Sequence, residues 1–187
     1  MNKLLIATNN RGKIAEYREI FADLPVTLTS LAEEGIYLDP EETGTTFEAN
    51  AILKAEAFAQ ASGLLTLADD SGLEVDALDK APGIYSARYG GTAKDEHVRR
   101  YQLVLDQIKD VSWEQRTGRF RCVVALAYRE QIIGTAEGTV EGFITREPEG
   151  SGGFGYDPIF YYPDFEATLA QVPAEQKHSI SHRGRAA

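Results

Sequence analysis

The sequence predicts an α/β protein, built as one domain or as two lobes sharing one sheet, and three observations carry that reading. Near the N-terminus a short apolar run gives way to a polar loop and then to Ile14, Tyr17, Phe21 and Leu24, which recur with helical spacing. A helix pattern over 45–63 leads directly into an apolar run over 64–73 that ends in Asp69 and Asp70. The second half holds short apolar runs broken by glycines, for which antiparallel pairing is the natural arrangement. With 187 residues, 43% of them hydrophobic, the chain is long enough to bury a real core.

Residues 3–7 read as the first strand, 8–13 as a polar loop and 14–24 as a helix. Residues 26–31 form a second strand, and the acidic stretch 33–42 a loop. Thr45, with Glu48 three residues on, reads as a capping box, and Gly63 closes the far end of that helix. The strand over 64–73 is expected to release its two acids and turn on Gly72, which would place them where open α/β sheets bind ligands. After the turn at 81–83, residues 84–91 read as a loop and Thr92 with Asp95 as the start of a helix. Val98, Tyr101, Leu105 and Ile108 form its apolar stripe, and His97 is expected in solvent. Strands follow over 119–128 and, as one or two pieces, over 131–144. The glycine-rich segment 150–158 leads into a last apolar strand.

The net charge of −10 argues against a nucleic-acid partner, which needs a basic footprint. No apolar stretch near the N-terminus is long enough for a signal peptide or a membrane span. The single cysteine, Cys122, excludes an intramolecular disulfide and a cysteine zinc site. It reads as an inert core residue. A soluble, cytoplasmic protein is the expectation.

Several stretches could carry chemistry. Asp69, Asp70, Ser71 and Gly72 suit a metal and proton-transfer site, but are also good turn formers. Thr8, Asn9, Asn10, Arg11, Gly12 and Lys13 precede a helix whose start could hold an anion, although a well-capped turn needs the same residues. The Walker spacing is absent. Lys54 lies about 20° around its helix from Phe47, in the middle of an apolar face with Asn50 beside it, so it must either snorkel or meet an anion. Glu41 and Glu42, just before that helix, could add oxygen ligands or serve the helix dipole. Phe154, Gly155, Tyr156 and Asp157 could form a stacking platform or a plain hairpin loop. His178 and His182 have the i, i+4 spacing of a metal pair, without a third ligand nearby.

Six stretches in order, ATNNRGK, ETGTTFEANAILKA, ADDSGLEVDAL, APGIYSARYGG, GGFGYDPIF and SHRGRA, resemble the inosine triphosphate pyrophosphatase-like family. The resemblance implies a long mixed β-sheet flanked by helices, with two lobes, a central active-site cleft and usually a homodimer. It implies Mg²⁺-dependent hydrolysis of non-standard purine nucleoside triphosphates (dITP, ITP, XTP) to the monophosphate and pyrophosphate. Thr8, Asn9, Asn10, Arg11, Gly12, Lys13 and Lys54 would hold the triphosphate. Asp70 would be general base and metal ligand, with Glu41 a second ligand. Ser71, Phe154, Gly155, Tyr156, Asp157, Lys177, His182 and Arg183 would contact the nucleotide and its base. The family continues past SHRG with another helix, so a chain ending at Ala187 leads us to expect altered packing around His182 and Arg183. His178 stands where a small residue is more usual. Two other readings are a related pyrophosphatase for pyrimidine or modified nucleotides, and a nucleotide-binding protein without turnover.

Overall fold

A computed structural model describes residues 3–93 and 95–187, with the side chain of His178 outside the described set. Strand β1 (Lys3–Ile6) leads through a loop to α1 (Arg11–Ile20), and β2 (Thr27–Ser30) returns beside β1 in parallel. Helix α2 (Phe47–Ser62) then feeds β3 (Leu65–Val75), which pairs in parallel with the other side of β1. Helix α3 (His97–Gln107) precedes the long strands β4 (Thr117–Tyr128) and β5 (Gln131–Ile144). Strands β6 (Phe160–Tyr162) and β7 (Ala167–Thr168) add on antiparallel, as the glycine-broken second half suggested. The seven strands form one mixed sheet in the order β2-β1-β3-β4-β5-β6-β7. The chain closes with α4 (Ala174–Ile180) and α5 (His182–Ala186). No described helix is long and apolar enough to cross a membrane.

The chain forms two compact units. The first takes the residues up to Asp70, Cys122–Gly138 and Ala186–Ala187; the second takes Ser71–Arg121 and Thr139–Arg185. In the first, Leu4, Ile6, Tyr17, Phe21, Leu67, Cys122 and Val124 form the core. Tyr17 and Phe21 sit one helical turn apart and stack at 5.7 Å between centroids. Cys122 is fully buried there. In the second unit Leu73, Val75, Val104, Ile108, Phe120, Ile144, Ile159 and Phe160 make the core. Strand alternation turns Glu74 away from Leu73 and Val75, and it pairs with Arg121 at 3.1 Å. The buried Arg116 is met by backbone: it donates to the carbonyls of Ile108, Ile144 and Thr145 at 2.7, 2.8 and 2.6 Å. One cation thereby satisfies the carbonyl at the end of α3 and fixes the end of β5.

Several local expectations are corrected. Helix α1 begins at Arg11, three residues before its apolar stripe, because Asn10 caps it: Asn10 Oδ1 accepts from the backbone of Gly12 and Lys13 at 2.9 and 3.2 Å. The cap of α2 is Thr46, which accepts from Ala49 N–H at 3.1 Å, and not Thr45. Glu48 accordingly does not close a capping box; it accepts from Thr135 instead. Gly63 is left-handed and ends α2 as expected. Strand β3 runs uninterrupted through Gly72, so this glycine is not a turn. In α3, Val98 is 64% exposed and leaves the stripe, while Arg100 is buried and takes a place on the inner face. His97 is half-buried, its Nδ1 at 2.7 Å from Arg100 Nη2, and burial followed by the Arg100 charge lowers its pKa. His182 starts a new helix after Ser181, which breaks the single-helix geometry a 178/182 metal pair would need; the His178 half of that reading lies outside the described residues.

Candidate functional site

The first group of polar side chains belongs to the first unit. Helix α2 brings Lys54 against the strand that carries Asp70, and its Nζ lies 3.1 Å from Asp70 Oδ1 and 2.7 Å from Glu42 Oε1. The lysine on the apolar face therefore meets anions and does not snorkel. Asn50, one turn earlier and fully buried, donates from Nδ2 to Asp70 Oδ2 at 3.2 Å, while its Oδ1 accepts from Gly44 N–H at 2.8 Å. Helix α1 presents Lys13 to Asp69, 2.9 Å from Nζ to Oδ2, and the Cys122 thiol donates to the same oxygen at 3.6 Å. The two neighbouring acids thus have separate cations.

Burial sets the electrostatics of this group. It pushes the Asp70 carboxyl up, Lys54 and Lys13 pull it back, and the balance leaves its pKa above the usual carboxylate value. For Lys54, burial acts to lower the pKa, but the charges of Asp70, Asp69 and Glu42 outweigh it, so its ammonium is held more firmly than usual. A carboxylate with raised basicity beside a firmly charged lysine is what proton abstraction next to an anionic substrate requires. Glu41 is exposed; its neighbour Glu42 is the residue that reaches Lys54. Asn9 and Arg11 are also exposed, and Thr8 Oγ1 accepts from Asn10 N–H at 3.2 Å. The hydrogen bonds of 8–13 are those of a well-capped turn, with Lys13 turned toward Asp69.

Mg²⁺ needs only one or two carboxylates when phosphate and water complete its shell. Asp70 and Glu42 converge on one ammonium and could serve as such a pair, whereas no cluster of three or more His, Cys, Asp or Glu suited to a metal occurs among the described residues.

The second group belongs to the second unit. Asp157 Oδ2 accepts from Phe154 N–H at 2.8 Å and from Lys177 Nζ at 2.7 Å, both side chains of the ion pair being buried. Gly153 is left-handed and lies against the Asp157 carboxylate, where a Cβ would collide with it. The Phe154 ring has the Lys177 ammonium 4.9 Å and the Arg183 guanidinium 5.9 Å from its centroid. Arg183, itself buried, donates from Nη2 to Ser71 Oγ at 3.0 Å. The His182 ring stacks on Phe120, 4.9 Å between centroids and 15° between planes. The sequence-predicted Ser71, Phe154, Asp157, Lys177 and Arg183 are therefore brought together. Tyr156 is not part of that surface: its ring is in the core, its hydroxyl donates to Ser86 O at 2.9 Å, and burial raises its pKa.

Sequence reasoning did not anticipate the roles of Ser86 or Phe120. Ser86 lies in a stretch read as a plain loop, and Phe120 in a strand where any core aromatic would look the same. Gly72 carried a signal that was misread: a Cβ there would overlap Ser86 Oγ and Gly83 O, so the glycine serves close approach within a strand.

Comparison with known proteins adds an independent line. The model of the Ham1 family matches residues 4–187. The chain is 50% identical to a dITP/XTP pyrophosphatase of Desulforamulus reducens, over 98% of this chain and 91% of that protein. It is 47% identical to a dITP/XTP pyrophosphatase of Bacillus subtilis, over 100% and 93%. Among solved structures, a HAM1 protein from Coxiella burnetii superimposes with a TM-score of 0.86 at 41% identity, covering 99% of this chain and 94% of that one. The Staphylococcus aureus Ham1 protein gives 0.85 at 43% identity, with the same coverage.

Proposed function

The chain belongs to the Ham1 family, and on that premise we propose that it is a nucleoside triphosphate pyrophosphatase for dITP, ITP and XTP, releasing the monophosphate and pyrophosphate. The observation that carries the reading is the set Lys54, Asp70, Glu42 and Asn50, of which Asp70 and Asn50 are buried, with Lys13 and Asp69 beside it.

In this reading Asp70 takes the proton from the water that attacks the α-phosphorus, its elevated pKa making it a better base than a solvated aspartate. Asn50 holds its second oxygen and fixes the direction of the first. Lys54 and Lys13 offset the charge of the triphosphate, and the capped turn of Thr8, Asn9, Asn10, Arg11 and Gly12 shapes its binding. Asp70 and Glu42, with Glu41 next to it on the loop, would hold Mg²⁺, which supplies charge neutralisation on the phosphates when bound. Phe154 offers a face for the purine. Lys177, His182 and Arg183 supply donors toward a 6-oxo group, and adenine, with an amino donor at that position, meets donor against donor. Ser71 and the Phe154–Gly155–Tyr156–Asp157 loop keep these groups in place. We place the enzyme in the cytoplasm, as a homodimer, without a nucleic-acid or membrane partner.

Incubation with Mg²⁺ and ITP, XTP, GTP, ATP or dTTP, followed by a pyrophosphate assay, tests the reading. ITP and XTP should be turned over in clear preference to the rest. Equal rates on all five, or a lead for dTTP, would reject it.

A further inference from the structure

Three separate pieces of the second unit meet at one buried serine. Ser86 Oγ accepts from Leu73 N–H at 2.9 Å and donates to Gly83 O at 2.6 Å. Its own carbonyl accepts from the Tyr156 hydroxyl at 2.9 Å. Gly72, without a Cβ, lies directly against Ser86 and Gly83. The next residue along, Ala87, is itself clamped: Arg100 Nη1, on α3, donates to its carbonyl at 2.9 Å. Ser86 is therefore anchored from behind by a helix and grips two things in front. One is the strand segment 71–73, whose Ser71 receives Arg183. The other is the loop that contains Tyr156, whose Phe154 and Asp157 face Lys177.

We infer that Ser86 is a positioning residue for recognition of the purine base, setting Ser71–Arg183 and the Phe154–Asp157 loop in register without touching substrate. The inference rests on the nucleotide-hydrolase reading for the identity of the ligand. It goes beyond that reading by assigning base recognition to a side chain outside the nucleotide's contact set. Losing the hydroxyl removes the partner of a buried N–H and of a half-buried carbonyl, so the segment must shift to recover partners. The side chains that hold Asp70 belong to the first unit and include none of these atoms.

Calorimetry with ITP and, separately, inorganic tripolyphosphate tests it, the second ligand carrying no base. In Ser86→Ala, Kd for ITP should rise about tenfold, equivalent to about 1.4 kcal/mol, with Kd for tripolyphosphate unchanged. Tyr156→Phe, which removes only the donor to Ser86 O, should show the same split at about threefold. In turnover, the change should fall on KM, with kcat within about threefold of wild type. A serine that merely supports folding would lower the active fraction, and hence kcat, at constant KM. Should Ser86→Ala fail to fold, Tyr156→Phe alone decides. Unchanged ITP binding in the variants, or ITP and tripolyphosphate affinities falling together, overturns the inference. A wild type that binds ITP but does not hydrolyse it counts against the hydrolase reading alone, and one that binds no ITP overturns both.

Discussion

Lys54 and Lys177 are both lysines withdrawn from water, yet Lys54 pairs with Glu42 and Asp70 while Lys177 pairs with Asp157. Around Lys54 and Lys13 lie Asp69, Asp70 and Glu42, so acid exceeds base. Around Asp157 lies Lys177, and the Phe154 ring beside them also has Arg183 over it, so base exceeds acid. The imbalance has opposite signs and suits opposite tasks. A surplus carboxylate matches a divalent cation and a proton to be removed; surplus donors match the acceptor edge of an oxo-purine. On the proposed reading, a lysine between acids suits chemistry, whereas a lysine and an arginine gathered around one acid suit recognition.

The sharpest way to break that distinction is at the closed pair. Asp157→Ala leaves the buried Lys177 without its carboxylate and should destabilise the protein by about 3–5 kcal/mol in denaturant titration. A loss below about 1 kcal/mol would mean that the pair is solvated and that shape is held elsewhere. Asp70→Asn should leave the fold and ITP binding intact while lowering pyrophosphate release at least about 100-fold. Near-normal turnover would move the base to another residue. Lys54→Met keeps the helix and its packing but removes the shared cation. The Michaelis constant for ITP should rise about tenfold, and an unchanged constant would return Lys54 to a structural role.

An exposed ion pair gives the scale against which the buried ones are judged. Hydrogen bonds from Arg119 hold Asp76 below the usual carboxylate value. Such a group stabilises the folded state above its unfolded pKa, and that contribution is lost as pH falls through the lower folded one. Asp76→Asn should cost under about 1 kcal/mol at neutral pH, because water screens the pair, and nothing in strong acid. A difference that persists in acid would show that packing, and not charge, is involved.

The parts of this molecule set by neighbours in sequence were legible from sequence. Helix spacing placed α1 and α2, and the glycine after α2 marked its end. Errors of one to three residues arose where two adjacent residues could do the same job, as Thr45 and Thr46 both can at a cap. Val98 was misassigned because an arginine that finds carbonyls, a hydroxyl and an imidazole can take an inner position that apolar counting gives to a valine. The six family stretches named residues that the structure gathers into two groups, but that Glu42 and not Glu41 reaches Lys54 follows from how the loop folds onto α2. Ser86 was illegible because its meaning lies in partners 13 and 70 residues away.

The unbroken course of β3 has a consequence for how the gene can vary. Along a strand, side chains alternate faces, so Asp69 and Asp70 reach Lys13 and Lys54 by parity alone. A single-codon insertion or deletion upstream in the strand would turn each acid to the opposite face, away from its present cation, and turn Leu73 and Val75 out of the core together. Substitutions here can be graded in effect; changes of length cannot. Through this stretch the spacing of residues matters to the fold as much as their identity.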